Sequence, residues 1–249
     1  VNSPRRAELD AWVPRFVNPS TMYPLTDDPA GQALHHLLGN ALHTETNDVP
    51  DHVPLQFDRL GPNDVGSCLH EVLTTLVERG VSEEVLQSPG DEVRHIFDDV
   101  LDDHAPQIDD EREGLFAFFR DEVLNDFLAS DLWSRVQRAD RVSVERAVDG
   151  LVTIDDVEIE IHGTCDFVVE LPSGERHVAD VKITLTDQTP ETRRRYELQV
   201  TAYSYLFKQQ ECSTNVNRTV ETFGVERDTI EPTWASTVIE RKLASLVHQ

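Results

Sequence analysis

A chain of 249 residues, 39% hydrophobic and 28% charged, is long enough to bury a core, and one domain with elaborations is the expected organisation. No apolar run approaches the roughly 18 residues that cross a bilayer, and the opening VNSPRRAELD carries no apolar secretory segment. Cys68, Cys165 and Cys212 are too scattered for a zinc or cluster motif, so a reduced, cytoplasmic protein with no membrane partner is expected. The net charge of −25 argues against nucleic acid if it is read as the binding surface. Acid is nevertheless spread over almost every segment and there are only three lysines. That is the composition of a protein adapted to molar salt, where charges are screened within about 3 Å, and the charge then describes the solvent rather than the partner. The chain opens on Val1, as a fragment or a non-standard start codon would give.

Residues 1–62 are Pro-rich and weakly periodic, an extension expected to wrap a core or meet a partner. Within it Asn18–Met22 reads as a turn into a short helix. Asp28–His43 carries Pro29 near a first helical turn and Leu34, Leu37, Leu38 and Leu42 at helical spacing, and the stretch from Thr44 to Asn63 reads as loop. Asp64–Arg79 is a helix with Leu69, Val72, Leu73, Leu76 and Val77 as its apolar stripe, stopped by Gly80, with His70 and Glu71 beside the stripe. Two more helices are predicted, over Asp91–Asp103 and over Asp110–Arg138, the second breaking near Ala129–Asp131. Their acidic outer faces read as solvated surface.

From Arg141 the pattern changes to α/β. Arg141–Val148 and Leu151–Ile154 read as strands, Thr192–Gln210 as an amphipathic helix, Asn217–Val225 as a strand and Thr233–Val247 as a terminal helix. Between them lies the stretch around which the chain is organised, a hairpin of Val157–Glu170 and Arg176–Thr184 about the turn Leu171–Gly174. Side chains two apart on a strand share a face, so Asp180 and Lys182 point the same way. Strands pair about 4.8 Å apart, which lets Asp166 stand beside them. Two carboxylates and an ammonium at one sheet edge suit a divalent cation and a water that attacks phosphorus. No G-x-x-x-x-G-K-[ST] occurs, so the chain has no phosphate-binding loop of that kind.

The order Gly163-Thr-Cys-Asp166, Asp180-Val-Lys182, then Gln199-x-x-x-Tyr203 on a helix resembles the PD-(D/E)XK nucleases. More narrowly it resembles the RecB-like nuclease domains at the C-terminus of UvrD/Rep-class helicases and in helicase–nuclease repair complexes, in a haloarchaeal-type sequence. Those domains carry an upstream G-x-x-x-H-[ED] helix, matched by Gly66-Ser-Cys-Leu-His70-Glu71, and a Glu on the strand before the G-x-x-D strand, matched by Glu145. The opening NPSTM resembles the start of such domains, and the likeness covers roughly residues 15–225. It departs at Val181, often aromatic in the family, and at Ile183, often Thr; neither position supplies an obligatory side-chain ligand.

By that resemblance Asp166 and Asp180 are metal carboxylates, the Val181 carbonyl is a further ligand and His70 completes the shell. The cation would be Mg²⁺ or Mn²⁺, the imidazole suiting Mn²⁺ better. Lys182 orients the attacking water or stabilises charge on the phosphoryl oxygens. Asp166, Asp180 and Lys182 are thus the expected catalytic residues. Gln199 and Tyr203 contact DNA or brace the site, Glu145 and Glu71 stand behind the ligands, and the Arg193-Arg194-Arg195 run is the expected phosphate contact. No iron–sulfur cluster is expected, because three scattered cysteines cannot replace the four that some relatives use.

The fold implied is an α/β, restriction-endonuclease-like core, a mixed central sheet flanked by helices, with an N-terminal helical elaboration. Residues 63–249 would form the nuclease domain, and residues 1–62 would pack on it or on a helicase partner. The function implied is metal-dependent hydrolysis of DNA, chiefly single-stranded ends, in repair and recombination alongside a UvrD/Rep-class helicase in cis or in trans. A catalytically silent DNA-binding or assembly module is the alternative, and a free-standing nuclease without a motor is a third reading.

Overall fold

The computed structural model describes residues 16–17, 62–105, 111–185, 188–211, 215–233, 235 and 237–247. The helix expected over Asp28–His43, the turn at Asn18–Met22 and the loop expected from Thr44 lie outside these residues, except that Pro62 and Asn63, expected to end that loop, are helical.

Helix α1 (Pro62–Glu78) buries Val65, Leu69, Val72, Leu73 and Leu76 completely. It ends on Gly80, whose φ of 66° lets Gly80 N–H reach Val77 O at 3.0 Å and Val81 N–H reach Leu76 O at 3.1 Å. Only a residue without a Cβ takes that left-handed conformation cheaply, and the two bonds satisfy carbonyls the helix leaves open. A short α2 (Glu83–Gln87) follows, then α3 (Asp91–His104). Next come α4 (Arg112–Phe118), a π-helical stretch (Phe119–Leu124), α5 (Asn125–Leu128) and α6 (Asp131–Val136). The helix expected over Asp110–Arg138, with a break near Ala129–Asp131, does break there and also carries an unexpected π-helical stretch. The break is at Ala129-Ser130, where the Ser130 hydroxyl caps α6 by accepting from Trp133 N–H at 3.1 Å.

The strands are β1 (Phe16–Val17), β2 (Arg141–Ile154), β3 (Val157–Glu170), β4 (Arg176–Thr184), β5 (Val216–Gly224) and β6 (Asp228–Ile230). They form one mixed sheet among the described residues. β3 pairs antiparallel with β2 along its length except at Asp166; its other edge meets β1 in parallel at Glu160–Ile161 and β4 antiparallel at Phe167–Glu170. β4 and β5 are parallel, joined by the crossover helix α7 (Pro190–Glu211). A terminal α8 (Thr237–Val247) completes the chain. One face of the sheet packs Phe167, Val169, Ala179, Val181 and Phe223 against α1–α6. The other packs Val168, Val178 and Val220 against α7 and α8. The α/β class with a mixed, helix-flanked sheet is as expected.

One expectation fails. Asp149-Gly150 reads as a break between two strands, yet β2 runs through it, and the real turn is Asp155-Asp156, with φ of 48° and 67°. Positive φ at both central residues is the two-residue turn that matches strand twist. Gly150 is there for room: a Cβ would lie 2.5 Å from Leu206 Cδ2 on α7.

A second departure from regularity sits in the middle of β2. Val142 and Val144 pack toward α1–α6, but Val148 and Val152, on the same strand face, pack toward α7 and α8. The ribbon turns from one layer to the other between them. Glu145 lies at that point with φ of 46°, and the β2–β3 ladder, otherwise continuous, omits its pairing with Asp166. A left-handed, non-glycine residue costs on the order of 1–3 kcal/mol and tends to mark a functional site.

Two predictions concern the scaffold. Gly224, with φ of 109°, would bring a Cβ within 2.6 Å of Thr184 O and 3.1 Å of Phe118 Cζ. Gly224→Ala is therefore expected to cost about 2–3 kcal/mol, from backbone strain plus overpacking, read as a lower urea midpoint. The second concerns His177, 1% exposed, whose Nε2 meets Thr219 Oγ1 at 3.0 Å. Burial, with Arg135 adding, pushes its pKa down to about 3. The unfolded chain takes up a proton near pH 6.5 that the folded chain refuses, so stability is full above that pH and falls as pH drops toward 3, by on the order of 4 kcal/mol. His177→Gln should remove this part of the acid dependence, seen as a flatter stability–pH curve between pH 3 and 6.5. An unchanged slope would mean that other groups carry it.

Candidate active site

The site forms where β3 and β4 part. Their pairing ends at Phe167↔Ala179, so the next residues, Asp166 and Asp180, line a fork rather than a ladder. The freed Val181 N–H donates to Asp166 Oδ2 at 2.7 Å. Asp180 and Lys182 share the strand face turned toward α7, and Lys182 Nζ lies 2.9 Å from Asp180 Oδ2. Helix α1 brings the third element. At Gly66 a Cβ would lie 3.4 Å from Ile183 O, so the helix sits close on the β4 backbone just past Lys182. One turn later His70 reaches the fork: its Nε2 is 3.2 Å from Asp166 Oδ2 and its Nδ1 is 3.4 Å from Glu145 Oε1.

Four of the expected residues thus stand at the fork as two pairs, His70 with Asp166 and Lys182 with Asp180. Glu145 stands nearer than expected. Ligand-capable atoms of His70, Glu145 and Asp166 all lie within 4.8 Å of one another, and the strained backbone of Glu145 is directly across from Asp166. Glu71 turns elsewhere and pairs with His104 at 2.8 Å. Gln199 Nε2 donates to Tyr203 Oη at 3.0 Å, and Tyr203 is buried beside the Asp180 charge. Arg193 is engaged by Glu226 and, at 2.7 Å, by Asp228 Oδ2, while Arg194 is exposed. Sequence reasoning missed Tyr196, whose ring centroid lies 5.4 Å from Lys182 Nζ. The signal was present, since Tyr196, Gln199 and Tyr203 recur at helical spacing on one face of α7.

The electrostatics are those of a compressed acidic cluster. Burial raises the Asp180 carboxyl, and Asp166 pushes the same way against the pull of Lys182. Burial would also raise Asp166, but Lys182, His70 and the Val181 N–H together hold it below the usual range. Burial opposes a proton on His70, yet Asp166 and then Glu145 outweigh it and raise its pKa. Burial likewise opposes the Lys182 charge, and the two aspartates overcome it and hold the ammonium well above its ordinary range. A cation competing for the same nitrogen and oxygens would meet the attraction that holds these protons.

Asp180 is 0% exposed, and neither of its carboxylate oxygens has a hydrogen bond of regular geometry beyond the ion-pair contact with Lys182. His70 Nε2 is in the same position opposite Asp166. Buried charge of this kind is costly unless paired or coordinating. Two carboxylates with an imidazole and a further carboxylate beside them fit a hard divalent cation.

A family model described as the PD-(D/E)XK nuclease superfamily matches residues 30–237. The chain belongs to that superfamily. A solved structure titled "Crystal structure of SSO0001" shares 14% identity with this chain, covers 74% of it and 73% of its own length, and gives a TM-score of 0.33. No curated protein matches the sequence. Members of the PD-(D/E)XK superfamily are generally nucleases that use divalent metals, and no helix among the described residues is long and apolar enough to cross a membrane.

Proposed function

We propose that this chain is a divalent-metal-dependent deoxyribonuclease that hydrolyses phosphodiester bonds, acting on single-stranded DNA ends in helicase-coupled repair and recombination within a salt-rich cytoplasm. The observation that carries it is the buried Asp180 carboxylate, short of hydrogen bonds, beside Asp166, Lys182 and His70.

A divalent cation held there, Mg²⁺ or Mn²⁺, supplies Lewis-acid polarisation of a phosphoryl oxygen and a bound water acidic near neutral pH. Asp166 and Asp180 hold it as carboxylates and His70 as a nitrogen donor, with Glu145 close enough to join them. The Val181 carbonyl is a further donor: N–H and C=O of one strand residue leave on the same side, and Val181 N–H already points at Asp166. Lys182, anchored on Asp180, presents a fixed positive charge to the oxygens of the reacting phosphate, the kind of preorganised group that stabilises charge as it develops. Gln199 and Tyr203 brace this wall, and Arg194 is the member of the arginine run most open to a phosphate.

The helicase partner and the preference for single-stranded ends rest on the likeness of the ordered motifs to RecB-like domains. The test is cleavage of end-labelled single- and double-stranded DNA in molar KCl with Mg²⁺, Mn²⁺ or EDTA, with and without a UvrD/Rep-class helicase. Metal-dependent cutting, faster on single-stranded ends, supports the reading, and the product ladder separates exonuclease from endonuclease. No cutting by the folded chain under any of these conditions would leave a DNA-binding or assembly module instead.

A further inference from the structure

Lys182 has two walls. One is Asp180, 2.9 Å from its ammonium; the other is the Tyr196 ring, 5.4 Å from Nζ at its centroid. The lysine side chain remains 24% exposed. A flexible four-carbon stem ending in a compact charge has many orientations available, and these two contacts select among them. They differ in kind. The carboxylate of Asp180 is also a proposed metal donor, so its charge is shared between the cation and Lys182. The attraction of an aromatic face for an ammonium comes from the ring quadrupole and is not shared in this way. Tyr196 is held for the task by its own helix: the apolar part of the ring packs with the α7 layer, in line with Gln199 and Tyr203, whose hydrogen bond spans the next turn.

We propose that Tyr196 is a positioning residue that holds the Lys182 ammonium at the fork through its ring face, so that the lysine stays aimed at the reacting phosphate when Asp180 serves the cation. This rests on the reading of Lys182 as the group that meets the phosphate. The contact itself can be measured whether or not the chain cleaves DNA.

The chain has three lysines, Lys182, Lys208 and Lys242, which makes amine labelling easy to resolve by mass spectrometry. Lys208 lies near the end of α7 away from the fork and Lys242 is 4% exposed, so they report general accessibility and unfolding. Wild type, Tyr196→Phe and Tyr196→Leu are labelled with an acetylating reagent in molar KCl, in EDTA and in Mn²⁺. Loss of the ring is expected to raise the Lys182 rate by roughly two- to fivefold, the factor that a partly exposed cation–π contact represents, with Lys208 and Lys242 unchanged. Tyr196→Phe, which keeps the ring, should protect Lys182 as wild type does, and the gap between Leu and Phe should widen in Mn²⁺. An unchanged Lys182 rate in the leucine variant, or an equal rise in both variants, overturns the proposal. Should Lys242 become reactive in the leucine variant, Tyr196→Met makes the same deletion with similar bulk. In the cleavage assay the leucine variant should lower kcat with KM and Mn²⁺ affinity unchanged. A labelling change without any cleavage by wild type would count against the nuclease reading and leave the ring contact standing.

Discussion

Asp180→Asn is expected to lower metal-dependent DNA cleavage by about a thousandfold or more, several kcal/mol of transition-state stabilisation, while the fold survives. The carboxylate is fully buried, so its charge is maintained at a cost in desolvation that only a counter-charge offsets. An amide has the same shape and no charge. Its insertion removes the attraction for a cation without opening a cavity, and relief of the buried charge offsets the loss of Lys182's partner. Unfolding free energy in molar KCl should therefore move by no more than about 2 kcal/mol. A variant that cuts at the wild-type rate would show that the fork is not where the chemistry occurs.

Lys182→Met separates metal binding from turnover. The methionine keeps much of the stem's packing and deletes the ammonium, so kcat should fall by about 10²–10³, as when a single preorganised charge-stabilising group is removed, with Mn²⁺ still bound. The same substitution leaves Asp180 buried without its counter-ion. In EDTA this should cost about 3 kcal/mol once Asp180 is ionised. The loss has a direction in pH. Burial raises the Asp180 carboxyl, and without Lys182 it rises further. Between the unfolded value near 3.9 and the raised folded value the native state holds a proton that the unfolded chain lacks, so stability falls as pH increases. Urea titrations should accordingly find the variant closest to wild type at acidic pH, further below it at pH 8, and restored by Mn²⁺ more than wild type is. Equal loss of metal binding and turnover would remove the role assigned to Lys182.

The parts of the site carried by short-range patterns were legible in the sequence. The β-branched run before Asp166, the turn at Leu171–Gly174 and the Asp180-Val-Lys182 alternation give β3 and β4 and their shared face. The leucine and valine stripe gives α1 and the placement of His70. What the sequence concealed depends on tertiary contact. Gly150 looks like a turn because glycine usually is one, and only the approach of Leu206 explains it inside a strand. The π-helical stretch at Phe119–Leu124 leaves no mark in the spacing of apolar residues. The engagement of Arg193 by Glu226 and Asp228, and of Glu71 by His104, joins segments far apart in the chain, so a basic run and an acidic neighbour that read as site residues are partly used elsewhere. Glu145 is recognisable by its position before the G-x-x-D strand. That its carboxylate reaches His70 follows from a left-handed backbone that no propensity predicts for glutamate.

The central claim is that Asp166, Asp180 and His70 form one divalent-cation site, and it can be tested without knowing the substrate or the motor. Mn²⁺ would be titrated into the folded chain in molar KCl, with free ion followed by electron paramagnetic resonance, for wild type beside Asp180→Asn and Asp166→Asn. Saturable binding by wild type, weakened at least tenfold in each variant, about 1.4 kcal/mol or more, is the predicted result. Binding of equal strength in all three chains, or none in wild type, would contradict it.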